Sequence, residues 1–179
     1  DAISHYFDSI DVSGMKIYQD GMVAEGEIGE KIVEEGLNLG SRNYQLVSKL
    51  LKRGAILVKT EVFKLVKKER DRLLAITQAK SITQKIIAFI RYTLAKNRLL
   101  SKRDNYIVKR IDETLNNGAT GIIFIGAYHN IKERLPKDIQ ITEIKDVNKV
   151  RGYQRLLPFY NKNRKRFEEL SRYLVSEIN

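Results

Sequence analysis

The sequence predicts an α/β fold. It is read as a single domain over residues 1–179, with about four mainly parallel strands covered by helices. Three observations carry this expectation. Short apolar runs, "MKIYQD", "AILVKTE" and "GIIFIGAYH", are separated by segments with helical periodicity. Those segments are too long for hairpin turns, so the strands should be joined by crossovers and run parallel. Pro136 and Pro158 are the only prolines, and no proline-rich linker divides the 179 residues, a length that suits one domain.

The elements follow in order. "HYFDSIDVSG" begins as a short helix and stops at Gly14. Met15 to Asp20 form a strand with Met15 and Ile17 packed, and Tyr18 is a further candidate for packing. Glycines and acids break it, and Ile28, Ile32 and Val33 then share a helical face that ends between Gly36 and Gly40. Ser41 caps a helix in which Tyr44, Val47, Leu50 and Leu51 form the apolar stripe. Residues 55–61 form a second strand. Three basic helices are expected over 63–76, 82–94 and 99–115, followed by a turn at "NNGATG". The third strand is Ile122 to Ile125. Asn130 and Glu133 have capping-box spacing, so a helix should start beyond His129. "DIQITEI" alternates as a fourth strand. Asp146 caps a further helix, and Phe167, Leu170, Leu174 and Ile178 line the last one.

Composition narrows the chemistry. The chain has no cysteine, which excludes disulfides, thiol catalysis and cysteine-ligated zinc and suits a cytoplasmic setting. No run reads as a signal peptide or membrane span, so no membrane partner is expected. The chain opens on Asp rather than Met, which leaves a natural N-terminal segment upstream open. The net charge of +11 is unevenly spread: residues 1–40 hold nine acids and two bases, whereas 64–110 hold fourteen bases and three acids. Such a basic segment suits a solvated surface or an anionic partner such as nucleic acid. There is no Walker loop, GxGxxG, HExxH or GxSxG. No RNA-binding signature is present either.

Ligands of parallel sheets usually bind beyond the carboxyl ends of strands. Three polar clusters fall there: Tyr18-Gln19-Asp20, Thr60-Glu61 and Tyr128-His129. His129 projects from a rigid strand past Gly126, which permits close approach of a ligand or backbone. Its bland alternative is a loop histidine bonding a carbonyl. Glu61 suits a general base or metal ligand, or else a helix cap. Asp20 suits the same chemistry, or a turn before Gly21. Arg103 shares a helix face with Tyr106 and Arg110 and can clamp an anionic group, or simply pair with Asp20 or Glu61.

Several blocks occur in order: "KIYQDG" from Lys16, "GSRNYQLVSKLLKRGA" from Gly40, "TE" at Thr60, "KRD" at Lys102 and "GIIFIGAYH" from Gly121. The set resembles an uncharacterised family of prokaryotic proteins, which implies no activity. More distantly it resembles the TraB/Tiki and erythromycin-esterase-like superfamily. That pattern has a first Gly-x-x-His, a glutamate, an arginine and a second Gly-x-x-His. Glu61, Arg103 and Gly126 to His129 would fill the last three places. The first has no counterpart, because His5 lacks the preceding glycine.

These readings converge on a hydrolase-like pocket at the strand ends. His129 and Glu61 would activate water or hold a divalent metal, Arg103 would stabilise an anionic group or an oxyanion, and Asp20 would orient His129 or complete a metal site. Tyr18, Gly126 and Tyr106 would line a pocket for a small-molecule or anionic ligand. The alternatives are a non-catalytic protein that binds an anionic partner through its basic helices, and an oligomer in which these residues form a buried network.

Overall fold

A computed structural model describes residues 2–178. The sheet has three parallel strands, β1 (Lys16–Gln19), β2 (Ile56–Val58) and β3 (Gly121–Phe124), in the order β2-β1-β3. Ile17 lies level with Leu57 and Ile122, so these three side chains form one row on one face. The helices α1 (Ala2–Asp8), α2 (Gly26–Asn38) and α3 (Arg42–Lys52) accompany that face. Phe7, Val33, Val47 and Leu50 pack there with Ile17, Leu57 and Ile122 in one buried cluster. Tyr18 and Val58, one residue on, point the other way. They pack with Ile107 and Ile111 of α5 (Ile82–Thr114) and with Ile131. The alternation along the strands thus builds an α/β sandwich with a core on each face.

α4 (Phe63–Thr77) leads from β2 and packs along α5 as a hairpin. α6 (Val147–Leu156), a short 3-10 segment (Leu157–Asn163) and α7 (Arg164–Val175) close the chain. The expected caps form: Ser41 Oγ accepts from Tyr44 N, and Asp146 accepts from Asn148 N and Lys149 N.

Three expectations are corrected. Residues 139–144 form no strand; Ile139 packs against the α5-side cluster while Ile141 is 42% exposed, so the alternation serves a loop anchored by one side chain. The described sheet therefore has three strands rather than four. Residues 82–114 form one unbroken helix of 33 residues instead of two, because nothing between Leu94 and Leu99 breaks it. No helix follows Asn130. Its Nδ2 donates to Glu133 Oε2, a side-chain contact in place of the capping-box bonds, and its backbone N–H is committed to Asp104. One turn forms at Ile131 to Leu135, and Pro136 disfavours helical backbone at Leu135.

Gly36 sets the contact between α2 and α3. A Cβ built there would meet Tyr44 Cδ2 at 2.1 Å. Gly36→Ala should therefore destabilise the protein by about 1–3 kcal/mol in chemical denaturation, and an unchanged midpoint would show that the helices separate more easily than the packing implies.

Candidate functional site

The three strands deliver their carboxyl ends to one place. The loops after β1 and β2 are joined there: Thr60 N and Glu61 N both donate to Met22 O at 2.9 Å, and Thr60 Oγ1 donates to Gln19 O. Asp20 N donates to Phe124 O at 2.8 Å, which fixes the β3 exit beside the β1 exit. A tight turn then runs from Gly126 to His129, closed by a 3.0 Å bond from His129 N to Gly126 O. A Cβ at Gly126 would lie 3.5 Å from both Asp20 Oδ2 and His129 Cδ2. That is ordinary contact distance, so Gly126 lies beside both side chains without the close approach that would require glycine.

Two adjacent residues of α5 meet these ends. Arg103 donates Nε to Glu61 Oε1 at 2.8 Å, Nη2 to Asp20 Oδ1 at 2.5 Å, and Nη1 to Glu69 of α4. Asp104 takes β3: its Oδ1 lies 2.5 Å from His129 Nδ1, and its Oδ2 accepts from Asn130 N at 3.0 Å. The other imidazole nitrogen, Nε2, lies 3.3 Å from Asp20 Oδ2. Arg134 stands 3.9 Å from Asp104. All four expected catalytic residues, Asp20, Glu61, Arg103 and His129, thus belong to one network.

The network is almost closed to solvent. Glu61 is 0% and Asp104 1% exposed, and the His129 side chain is 5% exposed. Asp20, Glu69 and Arg134 reach the surface, with side chains 24%, 22% and 30% exposed. The pocket expected beside His129 is therefore covered over. Surface hollows lie elsewhere, one of about 380 Å³ between α6 and α7 and one of about 230 Å³ near Tyr173.

Tyr18 and Tyr106, expected to line a ligand pocket, lie outside the hydrogen bonds of this network. Tyr18 faces the α5 side of the sheet, is 2% exposed, and shares a 2.9 Å hydrogen bond with Thr114 Oγ1. It lies two residues before Asp20, level with Val58 and Ile123 inside the sheet, so it packs against α5 in the core rather than at the strand end. Tyr106 is half-buried one turn beyond Arg103, and the hydrogen bonds that join the network do not include it. Arg110 instead ties Lys59 O and Glu25. Glu61 does not cap α4, whose N-cap position is Val62. Two members were missed. Asp104 stands beside Arg103 in the "KRD" block, and Glu69 of α4 reaches the cluster through its contact with Arg103 of α5.

Burial shapes the acidities. It pushes Glu61 up to about 7, with Arg103 opposing. Glu61 Oε2 has no partner, so the ionised form is poorly served. Burial also works against the charged forms of Asp20 and His129, but each is overcome by the other. The hydrogen bond and charge of His129, with Arg103, lower Asp20, while Asp20 and Asp104 raise His129. His129 therefore holds a proton readily, and Glu61 sits where it can gain or lose one near neutrality. Among the described residues no set of three or more His, Asp or Glu is arranged to hold a metal ion. The guanidinium of Arg103 lies among the Asp20, Glu61 and Glu69 carboxylates, where such a cation would sit. No family model matches the chain, and no curated protein or solved structure matches it.

These shifts fix the sign of the pH dependence. Glu61 is raised, so its stabilising contribution is complete below its ordinary value of 4.5 and is lost as pH rises through about 7. His129 is raised too, and its contribution is complete below 6.5 and lost as pH rises through its folded value. Asp20 is lowered, so it stabilises above 3.8 and loses that effect on acidification. Glu61→Gln keeps an acceptor for Arg103 Nε and removes one titration. Relative to that variant, wild-type stability should fall between pH 4.5 and 7 by a few kcal/mol, a tenfold change in proton affinity being worth ~1.4 kcal/mol. Denaturant melts at stepped pH measure this, and parallel profiles for the two proteins would place Glu61 at an ordinary acidity.

Proposed function

We propose that the strand-end network is the acid–base centre of a hydrolase-like protein. The observation that carries the reading is a buried histidine and a buried glutamate in one cluster, both of which hold a proton more readily than usual. His129, held between Asp104 and Asp20, is suited to donate a proton, whereas Glu61, fully buried with a free oxygen and an acidity near neutral, is suited to accept one. Two titrating groups at the carboxyl end of a parallel sheet, one of them near neutral, suit general acid–base catalysis. Burying this many charged groups also gives little net stability, which supports a chemical reason for their presence.

In this reading Glu61 takes a proton from water as the water attacks, and His129 passes its proton to the leaving group. Asp104 orients the imidazole, and Asp20 supports its positive charge. Arg103 stabilises negative charge that develops beside it. Because Arg103 is saturated by three carboxylates, access requires Glu69 to move away. Glu69 is carried by α4, a helix without a buried residue. The resemblance of the Glu61, Arg103 and Gly126-to-His129 pattern to the TraB/Tiki and erythromycin-esterase-like superfamily supports the same chemistry. The closed state of the network favours a second reading, in which it is purely structural and fixes the strand ends.

The two readings separate on ester, amide and phosphoester substrates. The acid–base reading expects turnover by the wild type, and a loss of at least ~100-fold in both Glu61→Gln and His129→Ala with circular dichroism unchanged. A chain inert to all three bond types, whose His129→Ala variant only melts at a lower temperature, is the result expected of the structural reading.

A further inference from the structure

The α4–α5 hairpin places its large apolar residues on the wrong side for its own packing. On α5 the half-buried or buried positions Ala88, Tyr92, Ala95 and Leu99 recur at helical spacing and face α4. On the outward side Ile82, Ile86, Ile90 and Leu94 form an i, i+4 ridge, and they are 80%, 54%, 49% and 80% exposed. Phe89 and Ile87 widen this sector, and Leu73 and Leu74 of α4 are exposed as well. A contiguous apolar face of this kind marks an interaction site.

Its charge says what kind. From Arg72 to Arg103 the chain has eight bases and no acid. At ~100° per residue Lys85 and Lys96 fall along one border of the apolar sector, and Arg91 and Arg98 along the other. All four are exposed, and none forms an ion pair among the described residues. An apolar sector bordered on both sides by bases without acidic partners fits a layer that is apolar beneath and anionic at its surface.

We propose that this outward face of α5, with the adjoining apolar residues of α4, seats on an anionic lipid surface. The helix would lie in the interface, its isoleucines below the headgroups and its bases among them. No helix of the described residues is long and apolar enough to cross a membrane, and an interfacial helix has no need to be. The sequence expectation of no membrane partner rests on the absence of a spanning run, which does not address this mode. A second copy of the chain would set the same acid-free stretch against itself. Nucleic acid would engage the bases but leave the isoleucine ridge in water.

The test is co-sedimentation of the whole chain with phosphatidylcholine vesicles, with and without phosphatidylglycerol. The wild type should sediment with phosphatidylglycerol vesicles, at least ~10-fold less with phosphatidylcholine alone, and progressively less as salt is added. Ile86→Glu with Ile90→Glu should abolish sedimentation, and Lys85→Glu with Arg91→Glu should weaken it ~10-fold or more. All four positions are exposed, so helicity by circular dichroism should be unchanged. Absence of binding to phosphatidylglycerol vesicles overturns the proposal. So does a wild-type dimer in sedimentation velocity that ignores vesicles and is dissociated by the isoleucine pair of changes, which would show a second copy on this face. A shift of RNA or DNA in gels without vesicle binding would assign the bases to nucleic acid and overturn it equally.

Discussion

Two neighbouring side chains on one helix hold the ends of all three strands. Arg103 gathers the β1 exit through Asp20 and the β2 exit through Glu61, and Asp104 gathers the β3 exit through His129 and Asn130. Neither charge can be buried alone. An uncompensated guanidinium or carboxylate in the interior costs several kcal/mol, so each must be met by partners from elements distant in sequence. The strand exits are therefore fixed relative to one another by charge pairing as well as by the sheet itself. The two apolar clusters carry the sheet, and this polar clamp completes one end of it.

The same clamp divides α5 into two halves. Leu99, Arg103, Asp104, Ile107 and Ile111 are its buried residues, and all lie in the second half. The first half, with α4, projects its apolar ridge outward. The Glu69 contact to Arg103 joins the two regions, since Glu69 belongs to the exposed hairpin and Arg103 to the buried centre. Crowding three carboxylates around one guanidinium has a chemical consequence. Asp20 keeps its charge because His129 supports it, and Glu61, the most buried, yields by holding its proton to higher pH.

Much of this was legible in the sequence, for identifiable reasons. β1, β2 and β3 are short apolar runs between long helical segments, which leaves few alternatives to a parallel sheet. Asp20, Glu61 and His129 each follow such a run, so their convergence follows from parallel order alone. Arg103 was found through its chemistry, because an arginine opposite two carboxylates seeks them. Asp104 and Glu69 escaped because charged residues on basic, solvent-facing helices look like surface charge until the partner is in place. Tyr18 shares a face with Asp20, two residues on, but lies within the paired part of the strand, where α5 covers it. Residues 139–144 showed the period of a strand without supplying a partner for it. The closure of the site was not legible at all, since it depends on contacts between distant elements such as Glu69 of α4 with Arg103 of α5.

Burial within the Arg103 clamp, with one oxygen left unpaired, gives Glu61 a near-neutral acidity, and the chemistry proposed for the cluster depends on it. A carbon-13 NMR titration of the Glu61 side-chain carboxyl in the wild-type protein reads this acidity without an intermediary. A midpoint of about 7 is expected. A midpoint at the ordinary value of 4.5 would contradict it and reduce the cluster to a set of ion pairs.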